Sequence, residues 1–149
     1  MYQTTVDDHV YYMPPREGFT IAHFLTVADI KRSASFYEKV FEARVVRVYD
    51  EPGEPAYLKI ANIWLIINVG GGPTPDKPTV TLEPPPDPNK LSSFMNFRVA
   101  DVRASYELWR SRGATFLTEP IDKYGETRCY IRDPDGYIIE VGQSKPGFV

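Results

Sequence analysis

Asp133-Pro134-Asp135-Gly136-Tyr137-Ile138-Ile139-Glu140-Val141-Gly142 reads as a tight turn running into a strand. Asp-Pro sets an extended or turn geometry, and Asp-Gly allows a left-handed backbone. Tyr137 to Val141 then supply β-formers interrupted by one carboxylate, Glu140. Side chains alternate along a strand, so Ile138 and Glu140 share one face while Tyr137, Ile139 and Val141 take the other. A carboxylate among apolar neighbours is costly unless its face looks onto solvent, a ligand or a metal. This stretch by itself leaves two readings of Glu140 open, an exposed outer-face residue and a site residue.

An internal repeat bears on that choice. Sliding the chain along itself until Asn68 falls under Glu140 also sets Ile67 under Ile139, Val69 under Val141 and Gly70 under Gly142. The same offset aligns Val27-Ala28-Asp29 with Val99-Ala100-Asp101, and Ser33 with Ser105. One shift that matches an early and a late segment together argues for two copies of one structural unit.

Around that repeat, 149 residues suffice for one good core or for two small modules. Hydrophobic residues at 42% and charged residues at 25% are ordinary for a globular protein. A net charge of −3 and a pI near 5.4 give no basis for a nucleic-acid surface. Cys129 is the only cysteine, so no intrachain disulfide forms and a reducing compartment suits the chain. The N-terminus lacks a basic segment followed by an apolar run, and no stretch approaches the roughly 18 apolar residues of a membrane span. The expectation is a cytoplasmic protein without nucleic-acid or membrane partners.

Taken in order, residues 1–18 form an irregular arm in which Tyr11, Tyr12 and Met13 are available to pack on the body or on a partner subunit. The first module spans 19–70. Phe19 to Val27 is a strand, with Ala22, Phe24 and Thr26 on one face and His23, Leu25 and Val27 on the other. Asp29 is a helix N-cap, and Ile30, Ala34, Tyr37 and Phe41 follow at helical spacing, with the end near Glu42. Arg44 to Tyr49 is a strand and Asp50 to Pro55 a loop. Ala56 to Ile60 and Ile63 to Val69 form a hairpin closed at Ala61-Asn62. A linker rich in Pro and Gly spans 71–92, with Thr79 to Leu82 as a short strand. Its Gly70-Gly71-Gly72 is not a phosphate loop, for no Lys-Ser/Thr follows in the required spacing.

The second module, 93–144, repeats the order. It has a strand Phe94 to Val99, the N-cap Asp101 and a helix Val102 to Arg112 closed by Gly113. A strand Thr115 to Thr118, a loop containing Tyr124-Gly125 and a hairpin of Arg128 to Ile131 with Tyr137 to Val141 complete it. Residues 145–149 are a tail.

Val27-x-Asp29 with Ser33 and Phe36-Tyr37, the second Val99-x-Asp101, and the closing Asp-Pro-Asp-Gly-x-x-x-Glu resemble the vicinal oxygen chelate superfamily. That group includes glyoxalase I, bleomycin-resistance proteins, fosfomycin-resistance enzymes and extradiol dioxygenases. The resemblance covers roughly residues 19 to 144 and implies an α+β fold. Two tandem β-α-β-β-β modules form a curled mixed sheet around a cavity, with the helices on the outer faces. A homodimer is also implied, since pairing of modules between chains is common there. The fold hosts unrelated chemistries, so function must come from the site.

In metal-using relatives the ligands stand on the first and last strand of each module. Carried over, those positions are Ala22, Asn68, Phe94 and Glu140, of which only Glu140 matches. Ala and Phe cannot bind a cation, and the Asn amide is a weak neutral donor. His23 is one residue out of register and would reach the cavity only through a bulge. His9, in the arm, is further removed. The expectation is therefore no cofactor, with His23 and Glu140 as the ligands if a divalent metal is used.

The same parity gives the cavity wall. Phe24, Thr26, Trp64, Ile66 and Asn68 face inward from the first module, and Phe94, Asn96, Arg98, Ile138 and Glu140 from the second. Arg98 is the only cation assigned to it. Such a lining suits a small aromatic molecule held by stacking, with Trp64 as the platform and a few polar groups orienting it. Cys129 is a buried small side chain, and no Gly-x-Ser-x-Gly elbow supports a serine nucleophile.

The leading expectation is a metal-free binding protein like the bleomycin-resistance branch, acting by sequestration. The alternatives are a metal-dependent lyase, isomerase or dioxygenase, and a metal-free enzyme with Glu140 as general base in an apolar pocket that would raise its pKa.

Overall fold

Both helices among the described residues begin at an aspartate. In the computed structural model of the chain, which describes residues 13, 15–48 and 53–148, Asp29 accepts a hydrogen bond from the Arg32 backbone N–H at 3.0 Å and opens helix α1 (Ile30–Phe41). Asp101 accepts from the Ala104 N–H at 3.0 Å and opens α2 (Val102–Ser111). Each cap satisfies one of the amides that a helix start leaves unpaired. Helix α1 closes on Glu42, whose backbone takes a left-handed φ of 57°, and α2 is followed by Gly113 at φ 101°.

The chain divides into two compact units, Met1–Pro84 and Pro85–Val149. The first carries β1 (Ala22–Val27), β2 (Arg44–Val48), β3 (Ala56–Ile60) and β4 (Ile63–Val69) in the sheet order β1-β4-β3-β2. Strand β1 runs parallel to β4, and the other pairs are antiparallel. The second carries β5 (Met95–Arg98), β6 (Thr115–Phe116), β7 (Ile121–Lys123), β8 (Glu126–Arg132) and β9 (Ile138–Ser144). Its order is β5-β9-β8-β6, with β7 on the remaining part of β8, and β5 is parallel to β9. These are the mixed sheets and few helices of the expected α+β class.

Each unit buries one sheet face under its helix. In the first, α1 packs on β3 and β4, and Leu58, Leu65 and Ile67 of those strands, Leu25 and Val27 of β1, and Tyr37 and Val40 of α1 are all almost fully buried. In the second, Cys129, Ile131, Ile139 and Val141 lie under Val102 and Tyr106 of α2. Complete burial of a Leu or Ile side chain contributes about 1.5–3 kcal/mol, so these alternating residues decide which face turns inward. Burial also pushes the Cys129 thiol up to about 11, which leaves it protonated and inert at neutral pH.

Several boundaries differ from the sequence expectation. His9, Tyr11, Tyr12 and most of the loop around residues 49–52 lie outside the described residues. Residues 79–82 form no strand, and only Leu82 bridges Gly71. The expected strand 115–118 shortens to two residues, while Ile121–Lys123, read as loop, pairs with β8 through a turn at Tyr124-Gly125. Strand β9 runs three residues past Val141, to Ser144. The turn before it is fixed by Asp133, whose Oδ1 accepts from the N–H groups of Asp135 and Tyr137 at 2.9 Å each while Gly136 takes φ 96°.

Registers in the two units also differ. Asn68 lies opposite Thr26, whereas Glu140 lies opposite Asn96 and Gly142 opposite Arg98. The pairing partner of Arg98, the repeat mate of Thr26, is thus Gly142, and Glu140 is not the register equivalent of Asn68. Between β5 and β9 the slip is two residues, which is even, so side chains on those strands keep the faces of their mates on β1 and β4. Tyr130 of β8, by contrast, lies opposite Glu140 on the face its mate Leu58 does not share. Among the described residues, no helix is long and apolar enough to cross a membrane.

Asp29→Ala and Asp101→Ala should each lower the unfolding free energy by about 1 kcal/mol in urea titrations, with Asn at either position restoring most of it.

Candidate functional site

Glu140 is the buried charge around which the second sheet's open face is arranged. It is only 4% exposed, although its strand neighbours across the pairings bring it polar groups. Strand β5 sets Asn96 beside it, and β8 sets Tyr130 on the other side. The Tyr130 hydroxyl donates to Glu140 Oε1 at 2.6 Å, and Asn96 Nδ2 donates to Oε2. Arg98 Nη1 reaches the same Oε2 at 3.3 Å, and Arg128 Nη1 stands 3.9 Å from Oε1. A buried carboxylate is tolerated when its lone pairs are occupied and a cation is close, and both conditions hold here.

A second carboxylate completes the cluster. Glu126 Oε2 accepts from Arg98 Nη2 at 2.8 Å, and its Oε1 accepts from Arg128 Nη1 at 2.9 Å. Arg98 Nη2 also donates to Ser144 Oγ at 2.7 Å. The hydrogen bond from Arg128, followed by that from Arg98, holds the Glu126 carboxyl below its ordinary value despite partial burial. Burial is the main cause that pushes the Tyr130 phenol up, with its bond to Glu140 second. Asn96, Arg98, Glu126, Arg128, Glu140 and Ser144 line an open basin of about 690 Å³ that Gln143 and Phe148 help to wall.

The site residues expected from the sequence divide between the units. Asn96, Arg98, Ile138 and Glu140 share one face of the second sheet, and Phe94, just before β5, packs edge-on against Tyr130 at 5.8 Å between centroids. Phe24, Thr26, Trp64, Ile66 and Asn68 share one face of the first sheet, as β1 and β4 pair residue by residue. The Asn68 amide is engaged locally, donating to the Gly53 carbonyl at 2.9 Å and accepting from the Val69 N–H. Trp64 is 3% exposed, with Lys59 Nζ 5.5 Å from its ring centre, so the indole faces no open space on which a ligand could stack. Strand β1 pairs without a register shift, which leaves His23 on the Leu25 and Val27 face. Burial lowers its pKa.

Arg98 is not the only cation on these faces. Lys59 pairs with Trp64, and Arg128 pairs with Gly142 beside Glu140. The surroundings of Glu140 are accordingly ionic rather than apolar. Glu126, Arg128, Tyr130 and Ser144 escaped the sequence reading. A signal for them existed in the polar alternation Glu126, Arg128, Tyr130, Arg132 around the apolar Cys129 and Ile131, but starting that strand at Arg128 and ending β9 at Val141 hid it.

A divalent ion fits this donor set poorly. Three side chains already occupy the two Glu140 oxygens, and an ion there would have to displace Asn96 and Arg98. Among the described residues no group of three or more His, Cys, Asp or Glu side chains stands together. Catalytic sites for such ions use about three protein ligands.

Comparison with known proteins places these features in context. A family model described as "Glyoxalase/Bleomycin resistance protein/Dioxygenase superfamily" matches residues 20–141. A putative lactoylglutathione lyase of Brassica oleracea var. gemmifera is 29% identical over 127 residues, 80% of this chain, which spans 42% of that relative's length. Among solved structures, a glyoxalase/bleomycin resistance protein/dioxygenase from Nocardioides superposes with a TM-score of 0.67 at 19% identity, covering 92% of this chain and 89% of that one. TnmS3, an antibiotic binding protein from Streptomyces sp. CB03234, gives 0.60 at 18% identity, covering 87% and 98%.

The lowered Glu126 pKa has a definite sign. A carboxyl depressed on folding stabilises the fold above its ordinary pKa of 4.5, and that contribution is lost as pH falls through the depressed value. Glu126→Gln should therefore flatten the acid limb of the unfolding free energy below pH 4.5 relative to the parent chain, measured by urea titration at stepped pH.

Proposed function

The chain belongs to the Glyoxalase/Bleomycin resistance protein/Dioxygenase superfamily, and from that premise we propose that it binds a small organic molecule on the Asn96, Arg98 and Glu140 face of its second sheet, without a metal ion. The observation that carries this reading is the ion-pair cluster itself. Glu140, the one residue that matches a metal-ligand position of the resembled superfamily, already has its charge compensated by Arg98 and its oxygens occupied by Asn96 and Tyr130. A carboxylate so engaged is a fixed part of a binding wall rather than an open ligand or a free general base. The basin has a volume within the range of small-molecule sites. Sequestration of a bioactive compound is the role that best suits a wall of this kind, and the antibiotic-binding relative in fold supports it.

The rival reading is a metal-dependent lyase, which the named plant relative brings forward. Elemental analysis of protein purified without chelators or nickel resin separates the two. We expect substoichiometric zinc, nickel, iron and manganese, and no lactoylglutathione lyase activity with or without added metal. One tightly held ion per chain, lost in Glu140→Ala together with activity, would replace the binding reading by the lyase.

We also propose a homodimer, on the resemblance to the superfamily. Light scattering should give about twice 17.0 kDa at micromolar concentration, and a mass near 17.0 kDa throughout would exclude it.

A further inference from the structure

The exposure of the four charged side chains in the basin decides what it offers to a ligand. The two carboxylates lie behind, with the Glu140 side chain 5% and the Glu126 side chain 14% exposed. The two guanidinium groups lie in front, with Arg98 at 42% and Arg128 at 29%. Formally the four charges cancel, but a molecule entering the basin meets donors first. Arg98 commits both terminal nitrogens, to Asn96, Glu140, Glu126 and Ser144. Arg128 commits only Nη1, and its Nε and Nη2 find no hydrogen-bond partner among the described residues. A guanidinium edge with two parallel N–H groups matches a carboxylate or similar oxyanion.

One wall of the same basin is aromatic. The chain after β9 turns back, the Lys145 N–H donating to the Gly125 carbonyl at 2.9 Å and the Phe148 N–H to the Lys145 carbonyl at 3.1 Å. This lays the Phe148 ring against Gly125, where any Cβ would overlap it. The ring is half exposed and lines the basin together with Arg98 and Arg128. An oriented cation edge and an unburied aromatic face in one basin recognise opposite ends of one molecule.

We propose that the basin selects an amphiphilic anion, its carboxylate head on the free edge of Arg128 and its apolar body against Phe148. This rests on the reading of the basin as the ligand site and narrows it to a chemical class. Each carboxylate is paired with a guanidinium that is more exposed than itself, so its charge is compensated before the head is reached.

A matched series on one body tests it: 4-phenylbutyrate, its neutral amide and the corresponding amine, titrated into the full chain and followed by backbone amide shifts. The carboxylate should perturb Arg98, Arg128, Gly142 and Ser144 and bind about tenfold or more tighter than the amide, the worth of one charge-assisted pair. Arg128→Gln should bring the ratio of acid to amide affinity close to one, while Phe148→Ser should weaken acid and amide alike and leave that ratio in place. Should Arg128→Gln fail to fold, Arg128→Lys keeps the charge without the fork and should retain only part of the preference. Binding of the amine as tight as that of the acid, or a preference for the acid that survives both Arg128 variants, would overturn the proposal. If other small organic compounds shift the same amides while no acid of the series does, the anion class fails and the site reading stands. If no compound shifts them, both fail.

Discussion

A carboxylate with 4% of its surface exposed must be compensated where it stands, and Glu140 imposes that requirement on the whole second sheet. Leaving it unpartnered would cost several kcal/mol, a large share of the stability of a unit this small. Strand β5 therefore presents Asn96 and Arg98, and β8 presents Tyr130 and Arg128, at the pairing positions around it. Glu126 follows from the same demand at one remove, since two guanidinium groups close together repel unless an anion lies between them. The parallel pairing of β5 with β9 brings Asn96 opposite Glu140 and Arg98 opposite the next residue on that face. Sheet topology and electrostatics are in this sense one constraint.

Much of the scaffold was legible because it depends on local rules. The two aspartate caps, the hairpin at Ala61-Asn62 and the alternation of Leu25 and Val27 with Phe24 and Thr26 follow from neighbouring residues, and the two helices and the grouping of residues by face came out as expected. The repeat gave the two-module order but not its register, for the turn at 133–137 is longer than the one at 61–62 and pairs β8 with β9 on faces exchanged relative to β3 and β4. Between β5 and β9 the shift is even, which is why Glu140, Asn96 and Arg98 were still assigned together. Strand β7 was missed because Ile121-Asp122-Lys123 carries no β-signal of its own. It is held by β8, including the Thr127 hydroxyl on Asp122 Oδ1 at 2.6 Å.

The character of the site was less legible than its position. Sequence parity tells which residues share a face, but not which of them remain uncovered. Trp64 is large and on the expected face, yet Lys59 covers its ring from the neighbouring strand, a cross-strand contact that no single strand discloses. Conversely, the polar residues of β8 looked like an ordinary solvated face until their partners were known. An apolar aromatic pocket and an ionic basin differ here by the contribution of one strand.

Two glycines matched by the repeat show how one sequence signal serves two physical ends. A Cβ at Gly70 would collide with the Leu82 carbonyl, so this glycine admits a backbone segment beside β4 and supports the bridge from Gly71. A Cβ at Gly142 would collide with Arg98 Nη1, so this one admits a guanidinium group across β9. The first is a steric condition of the fold, where the obstructing atom is main chain and cannot yield. The second is a condition of the site, where the obstructing atom ends a flexible side chain. An alanine at 142 would leave the strand in place and turn Arg98 away from Glu140, Glu126 and Ser144 at once. Only a residue without a side chain lets one arginine serve both carboxylates, and that single guanidinium ties the buried charge of Glu140 to the face the basin presents.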